Sequence, residues 1–474
     1  MKVLAIDQGT TSTRGFTLDA AGAFAFVAAR EHRQIYPRPG WVEHDPEEIL
    51  AGVRAIIAAA GPVDAIGLDN QGETVVAWDA ADGRPLHNAI VWQDDRTREM
   101  TDRLKAADAE ALTLECAGLP LDPYFSASKL RWFLDHLPDA RDLLRQGRLR
   151  LGTSDAFLLA RLTGSFVTDV ATASRTSLLS LATLRWDPEL CALFGVPPEC
   201  LPEIRPTTGP FGDCAGVPVT AAIVDQQAAL FGHGCARPGE AKITFGTGAF
   251  ALAVTGPGRL DGGGILPTVA WQLGQAPADL ALEGGVYNAA SAVNWAQGLG
   301  LFRDFGEIAA FARPPAIGRD LAFVPALSGL ACPHWDRGAA GLWIGLGLDT
   351  TGSDLMQSLL EGIALRAAEV VAALAGRLAL AGEISVDGGM AKNPYFLQVL
   401  AEVLERRVVV PGSTDLTALG TARLALLGLG ARELPPLPPV RRAVEPVAGW
   451  GAAARARFAQ AVERARGWRQ GPPG

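Results

Sequence analysis

The chain lacks most of the features that would assign it at a glance. It has no G-x-x-x-x-G-K-[ST] run, so a Walker-type phosphate loop is excluded. Its six cysteines, Cys116, Cys191, Cys200, Cys214, Cys235 and Cys332, are scattered with no Cys-x-x-Cys pair, so reduced thiols are expected. The six histidines form no metal-binding cluster in sequence. Lysine is scarce among the 42 basic residues, and with 51 acidic residues the net charge is −9. That balance favours neither nucleic acid nor an anionic membrane surface as a partner. No apolar run reaches membrane length, and the opening strand is cut by Asp7 after a few residues. No membrane span or signal peptide is therefore expected, and the expected location is the cytoplasm.

The 474 residues and 49% hydrophobic content suit two domains, each with its own core. Val3-Leu4-Ala5-Ile6 reads as a short apolar strand stopped by Asp7. Gly9 permits a tight turn close to an anion, and Thr10, Thr11 and Ser12 add hydroxyls beside free backbone N–H groups, a cradle for phosphate. Asp7 is placed to hold Mg²⁺, which favours one or two carboxylates plus substrate phosphates. Arg14 offers a fixed fork to a phosphate oxygen of ATP. Taken alone, this stretch is equally an ordinary hairpin with a polar tip. A second strand–turn–strand, Ile243 to Leu252 around Gly246-Thr247-Gly248, repeats the pattern and suggests a duplicated lobe. Between the two stands Asp225, a lone carboxylate after the apolar strand Val217 to Val224; it reads as a general base, or as the cap of the helix that follows. Two Gly/Thr turns with one acid at the seam suit an enzyme that holds a nucleoside triphosphate between lobes and deprotonates an alcohol. The strand Ile384 to Asp387 runs into Gly388-Gly389, where a flat ring can lie against bare backbone, with Asn393 near its edge.

The repeat sets the expected layout. The first lobe's sheet takes Val3–Ile6, Gly15–Leu18 and Phe24–Ala28, with Ile66–Asp69 and Thr74–Trp78 as further strands. A mostly helical insert spans Ala107 to Asp187, and Pro238-Gly239 is the interlobe turn, giving domains 1–234 and 235–474. Pro435 to Pro439 reads as a rigid linker to a C-terminal helix, Ala452–Trp468.

Longer phrases carry a resemblance. Tyr124-Phe125-Ser126-Ala127-Ser128-Lys129 through His136 is one; Gly341-Leu342-Trp343-Ile344-Gly345-Leu346, running on to Asp354 through Glu361, is another. Tyr36 to Pro46, Asn88 to Gln93, Ala173-Ser174-Arg175-Thr176 and Asp225 to Gly232 add to them. On these phrases the chain resembles the FGGY family of carbohydrate kinases, most closely its glycerol kinases, from Met1 to about Gly430. The resemblance implies an α/β, two-lobed, actin-like or ribonuclease-H-like fold, with ATP, Mg²⁺ and a small polyol or sugar in the interlobe cleft. It allows a homodimer or homotetramer. It implies that Asp225 is the catalytic base, that Glu73, Tyr124 and Gln226 bond the polyol, and that Trp92 and Phe250 wall its carbon chain. It also implies that Gly246 and Thr247 face the transferring phosphoryl group, with Ala290 and Asn294 near the nucleotide, and that Gly389 and Asn393 face adenosine.

The chain departs from that pattern in places. Gly72 stands in Asn70-Gln71-Gly72-Glu73-Thr74 where glycerol kinases have an arginine that bonds glycerol hydroxyls. Losing such a charged hydrogen bond costs about 1.5–3 kcal/mol, and the vacated space is expected to admit a tetritol, pentitol or ketopentose as the alternative acceptor. Ala290 replaces a glycine, Asn294 a frequent glutamine, and Val224 the glycine before the acid. The segment Gly212 to Gly216 is short where some glycerol kinases carry a loop that binds a sugar-phosphate inhibitor, so that feedback is not expected here.

Overall fold

The structure is a computed structural model that describes residues 1–469; residues 470–474 of the expected second domain lie outside them. Its first sheet is built on β1 (Lys2–Gln8), whose apolar stretch Val3 to Ile6 is wholly buried. β1 turns back into β2 (Ser12–Asp19) and then β3 (Phe24–Glu31), both antiparallel. On its other side β1 pairs in parallel with β4 (Ala65–Asn70), and β4 with β5 (Val217–Val224). The order is β5-β4-β1-β2-β3, with Asp213–Cys214 at the edge. The second sheet repeats the plan. β6 (Ala241–Phe245), β7 (Ala249–Gly256) and β8 (Asp279–Val286) are antiparallel, and β9 (Glu383–Gly388) and β10 (Arg407–Pro411) add in parallel on the far side of β6. Leu266–Trp271 and Val440–Val444 close its edges.

The parallel strands place the chemistry. β1, β4 and β5 all end on one side of the sheet, where ligands bind in open α/β sheets. Asp7 pairs in register with Asp69, and Asn70 with Val224, so Asp225 emerges one residue beyond. In the second sheet Phe245 pairs with Gly388, which brings the second Gly/Thr turn beside the Gly-Gly turn.

The helices used below are α1 (Ser126–His136), α2 (Asp225–Gly232), α3 (Ala290–Gly298), α4 (Gly352–Ala375), α5 (Pro394–Leu404), α6 (Leu416–Gly428) and α7 (Gly451–Ala465). α4 lies in the second lobe's core, its start fixed by a capping box between Thr351 and Asp354. α6 comes from the second half of the sequence yet packs against α2 and the first sheet. Glycine allows that close crossing: a Cβ on Gly420 would lie 1.9 Å from the Ala228 carbonyl oxygen.

Three expectations change. Val75–Asp79 does not join the first sheet; it pairs with Leu149–Thr153 in a separate four-stranded sheet. The cause is local: Glu73 has φ +56° and the Thr74 N–H bonds the Gly72 carbonyl at 2.7 Å, a three-residue turn that redirects the chain after β4. The insert between Ala107 and Asp187 accordingly holds Leu149–Thr153 as strand among its helices. The proline run leads first to the edge strand Val440–Val444, and the last helix, α7, ends at Ala465. No helix of the described residues is long and apolar enough to cross a membrane.

Candidate active site

Asp225 is the first residue of α2. The N-cap is Val224, and no side chain caps the helix, so the capping role considered for Asp225 is not what it does. The residue is part-buried but its carboxyl lies deep. Burial pushes its pKa up to about 7, with the charges of Glu73 and Asp7 adding to the effect and Lys242 opposing it. A carboxylate tuned near neutrality suits proton acceptance.

Glu73 faces it from the turn after β4. Its positive φ is a strained conformation for a glutamate, of the kind that persists where surroundings enforce it. Arg175 is the enforcer: its Nε donates to Glu73 Oε1 at 2.8 Å, and its Nη2 donates to Glu283 Oε1 at 3.0 Å. Glu283 belongs to β8, so one buried guanidinium ties the acceptor side of the first lobe to the second. Tyr124 lies near the same charges, and the neighbouring Phe125 ring sits over the Arg175 guanidinium at 5.6 Å. Burial and the nearby Glu73 charge raise the Tyr124 pKa well above the usual value, so its hydroxyl stays a donor. Lys129, buried in α1, sets this loop. Its ammonium donates to the carbonyls of Pro123, Tyr124 and Phe125 at 2.8, 2.6 and 2.8 Å, using all three of its donors. Trp92 meets Tyr124 edge-to-face, ring centroids 5.7 Å apart, and donates its indole N–H to Thr10 Oγ1 at 3.0 Å. Thr10 therefore joins the aromatic wall to the first turn. Phe250, second residue of β7, and Gln226 are half-buried.

At the first turn Asp7 and Asp69 lie side by side. Burial raises the pKa of Asp7 although Arg14 pulls the other way, and raises that of Asp69 further because the Asp7 charge is its neighbour. Asp69 Oδ2 accepts from Thr421 Oγ1 at 2.6 Å, while Oδ1 is buried with no hydrogen-bond partner among the described residues. Arg14 donates to Asp7 Oδ2 at 2.5 Å and to Asp415 Oδ1 at 2.8 Å, so it bridges the hairpin to the start of α6. Thr11 is exposed and Ser12 half-buried. Behind the turn, His32 and Gln34 bond the Thr10 carbonyl at 2.8 and 2.9 Å, Gln34 bonds His44, and His44 bonds Gln71. Burial, aided by His32, lowers the His44 pKa to about 3, so the chain of contacts stays neutral.

The second turn is pinned by the start of α3. The Ala289 and Ala290 N–H groups donate to the Thr247 and Gly246 carbonyls at 2.9 and 3.0 Å. Asn294, one turn on from Ala290, is exposed on the same face. Gly388 has φ +90°, and a Cβ there would lie 2.2 Å from the Phe245 carbonyl oxygen, whereas Gly389 meets open space. Gly389 and Arg14 line one cavity of about 720 Å³, with Lys392, Ser413, Thr414 and Asp415 among its walls. Asn393 Oδ1 accepts from the Phe396 N–H as the cap of α5, and its Nδ2 donates one proton to the Ile308 carbonyl, which fixes the amide beside the Gly388-Gly389 turn and leaves its second N–H unused by these bonds.

Sequence reasoning assigned no role to Arg175, Lys129, Lys242 or Asp69. A signal existed for Lys242: it interrupts an apolar strand, and a charge there is buried only with partners.

The N-terminal domain profile of the FGGY family of carbohydrate kinases matches residues 2–232, and the C-terminal domain profile matches residues 241–429. The chain belongs to the FGGY family of carbohydrate kinases. It is 44% identical over 447 residues to a glycerol kinase of Citrifermentans bemidjiense, covering 90% of each chain. It is 42% identical over 493 residues to one of Trichlorobacter lovleyi, covering 99% of each. Among solved structures, a Plasmodium falciparum glycerol kinase with ADP superposes with a TM-score of 0.89 at 30% identity, covering 98% of each chain. A xylulose kinase of Lactobacillus acidophilus matches in fold, with a TM-score of 0.87 at 22% identity.

Within this FGGY kinase, the space expected at Gly72 is partly taken. A Cβ on Gly72 would lie 2.9 Å from Val224 Cγ2. The two departures from the glycerol-kinase pattern therefore touch: the side chain gained at position 224 sits where one is missing at 72. The nearest wall there is apolar, and Val224 narrows the slot expected at Gly72 on one side.

Proposed function

We propose that this protein is an ATP-dependent glycerol kinase that converts glycerol to glycerol 3-phosphate. The observation that carries the reading is the Asp225 carboxyl, raised to a pKa of about 7 and facing Glu73 and Tyr124 at the end of the parallel strands. The glycerol kinases similar over nearly the whole chain support the acceptor.

In this reading Glu73, Tyr124 and Gln226 hold the polyol hydroxyls, and Trp92 and Phe250 flank the carbons. Asp225 accepts the proton of the attacking hydroxyl as its oxygen bonds to the γ-phosphorus. The bond from that phosphorus to the β–γ bridging oxygen breaks, and ADP leaves with the electron pair. Thr247 and Gly246 face the transferring group, Thr10, Thr11, Ser12 and Arg14 the phosphates, Ala290 and Asn294 the nucleotide, and Gly389 the adenosine. Asp7, beside the unpartnered oxygen of Asp69, offers the hard oxygen donors that suit Mg²⁺. When bound, the ion neutralises phosphate charge. The domains divide at 234/235, and the enzyme works in the cytoplasm as a homodimer or homotetramer, the assembly being open to sedimentation analysis.

The bare Cα of Gly72 favours a second reading, a kinase of a tetritol, pentitol or ketopentose. Val224 stands against it. A panel of glycerol, erythritol, xylitol and D-xylulose, read by coupled ADP release, decides. The highest kcat/KM is expected on glycerol. A higher value on a four- or five-carbon acceptor promotes the alternative, and ADP release indifferent to every polyol returns the chain to plain ATPases.

A further inference from the structure

Gln226 and Lys242 come from the two halves of the chain and meet beneath the acceptor site. Lys242 is a charged side chain between Ala241 and Ile243 in β6, and it is fully buried. Its Nζ donates to Gln226 Oε1 at 2.7 Å and to Thr244 Oγ1 at 3.0 Å. Asp387, Glu283 and Asp225 supply the surrounding negative charge. An ammonium has donors and no acceptor. It can bond only the oxygen of the Gln226 amide, so it locks one of the two amide orientations. The Nε2 donors are then left on the side away from Lys242, where Gln226, next to Asp225, stays open to the cleft.

We propose that Lys242 is a positioning residue for the acceptor: it fixes the Gln226 amide so that the site presents N–H donors and selects an acceptor oxygen with a free lone pair. The choice is chemical. A neutral hydroxyl oxygen satisfies those donors; an ammonium at the same position cannot. Because Lys242 belongs to the second sheet and Gln226 to the first half of the chain, the acceptor site is complete only when the two lobes are docked. The inference rests on the polyol-kinase reading above.

Two variants test it. Lys242→Met removes the lock and should raise the polyol KM about 3- to 10-fold, the worth of one net hydrogen bond, with the ATP KM within about twofold of wild type. Because Lys242 also holds the Asp225 pKa down, the two enzymes are compared on the alkaline plateau of their own pH–rate profiles. In a cycle with Gln226→Leu, the double variant should bind polyol no worse than Gln226→Leu alone, because Lys242 acts through Gln226. Additive losses, or an equal rise in the ATP KM, overturn the proposal. Gln226→Glu leaves Lys242 in place and decides the matter should Lys242→Met not fold. It keeps the bond to Lys242 but turns a carboxylate oxygen to the acceptor. Glycerol should then weaken, while one of its two amino analogues, with an ammonium in place of a hydroxyl, should gain relative to glycerol. An unchanged preference between glycerol and both analogues overturns the proposal. Wild-type enzyme without polyol-dependent ADP release would instead remove the kinase reading on which it stands, so the two failures are distinct.

Discussion

Gly72→Ala is the sharpest test of how this acceptor site is built. Gly72 does not need glycine for a left-handed backbone; what it needs is space, because an added Cβ would lie 2.9 Å from Val224 Cγ2. Ordinary carbon contacts fall at about 3.5–4.0 Å, so roughly 0.6–1.1 Å must be found. Val224 cannot readily yield: it is β-branched, 2% exposed, and it caps α2. The adjustment must therefore pass into the backbone on one side or the other. On one side is the strained turn of Glu73, on the other the first residue of α2, Asp225. Either way Glu73 and Asp225, which in the proposed reading hold and deprotonate the acceptor, separate. A displacement near 1 Å costs about 10²-fold in a well-oriented reaction, so kcat/KM for glycerol should fall by about 10- to 100-fold. Overpacking should also destabilise the fold by about 1–3 kcal/mol. Coupled ADP release and thermal unfolding read the two effects. Val224→Ala in the same chain removes Cγ2 and should restore most of the activity. By the same geometry, Gly72→Arg alone should not improve glycerol binding, and needs Val224→Gly to be accommodated. Wild-type kcat/KM and Tm in Gly72→Ala, or no recovery in the double variant, would refute the reasoning.

Asp225→Asn should keep ATP binding and lose about 10²–10⁴-fold in kcat, the usual share of a general base. Wild-type kcat/KM should fall as pH drops below about 7, where Asp225 holds its proton. Its folded pKa is raised from 3.8, so the stability tied to it is full below about pH 4 and lost as pH rises through about 7. Asp225→Asn should therefore raise Tm more at pH 8 than at pH 5, and an equal shift at both would contradict the burial argument. Arg175→Lys keeps a charge but cannot serve Glu73 and Glu283 with one fork; polyol KM should rise and Tm fall, while a Tm drop with unchanged polyol kinetics would make Arg175 structural only. Small-angle scattering with glycerol and a non-hydrolysable ATP analogue should give a smaller radius of gyration than the free protein, and no change would mean a cleft already closed.

Much of the framework was legible because it is local. A short apolar strand stopped by an acid, a Gly/Thr turn, and the same phrase again predict β1–β2 and β6–β7, and the lone acid after Val217–Val224 marks Asp225. What differed has mixed causes. Thr74–Trp78 is a nearly continuous apolar run that reads as a buried strand, but its sheet is chosen by the local turn at Glu73, and nothing in the residues forecasts a glutamate at φ +56°. Asn393 offers an amide beside a Gly-Gly turn, and standing just before Pro394 it also carries a helix-cap signal, which its bond to the Phe396 N–H realises. Arg175 finds Glu73 and Glu283 across 102 and 108 residues of sequence, beyond any periodicity argument.

The long-range contacts also say which joint between the lobes can yield. One apolar cluster takes Val3, Ala5 and Ile223 from the first sheet, Leu252, Val254 and Leu280 from the second, and α6 from the far end of the chain. Each such side chain gains about 1.5–3 kcal/mol by burial, so opening the lobes there is prohibitive. The polar ties are of two kinds. Arg175 to Glu283 and Lys242 to Gln226 are deep, and breaking them would strand buried charge. Arg14 to Asp415 is part-exposed, lines the cavity of about 720 Å³, and is screened by solvent. The Arg14 to Asp415 pair is thus the weakest of these ties, and the deep pairs hold the wall around Glu73 and Gln226 in place.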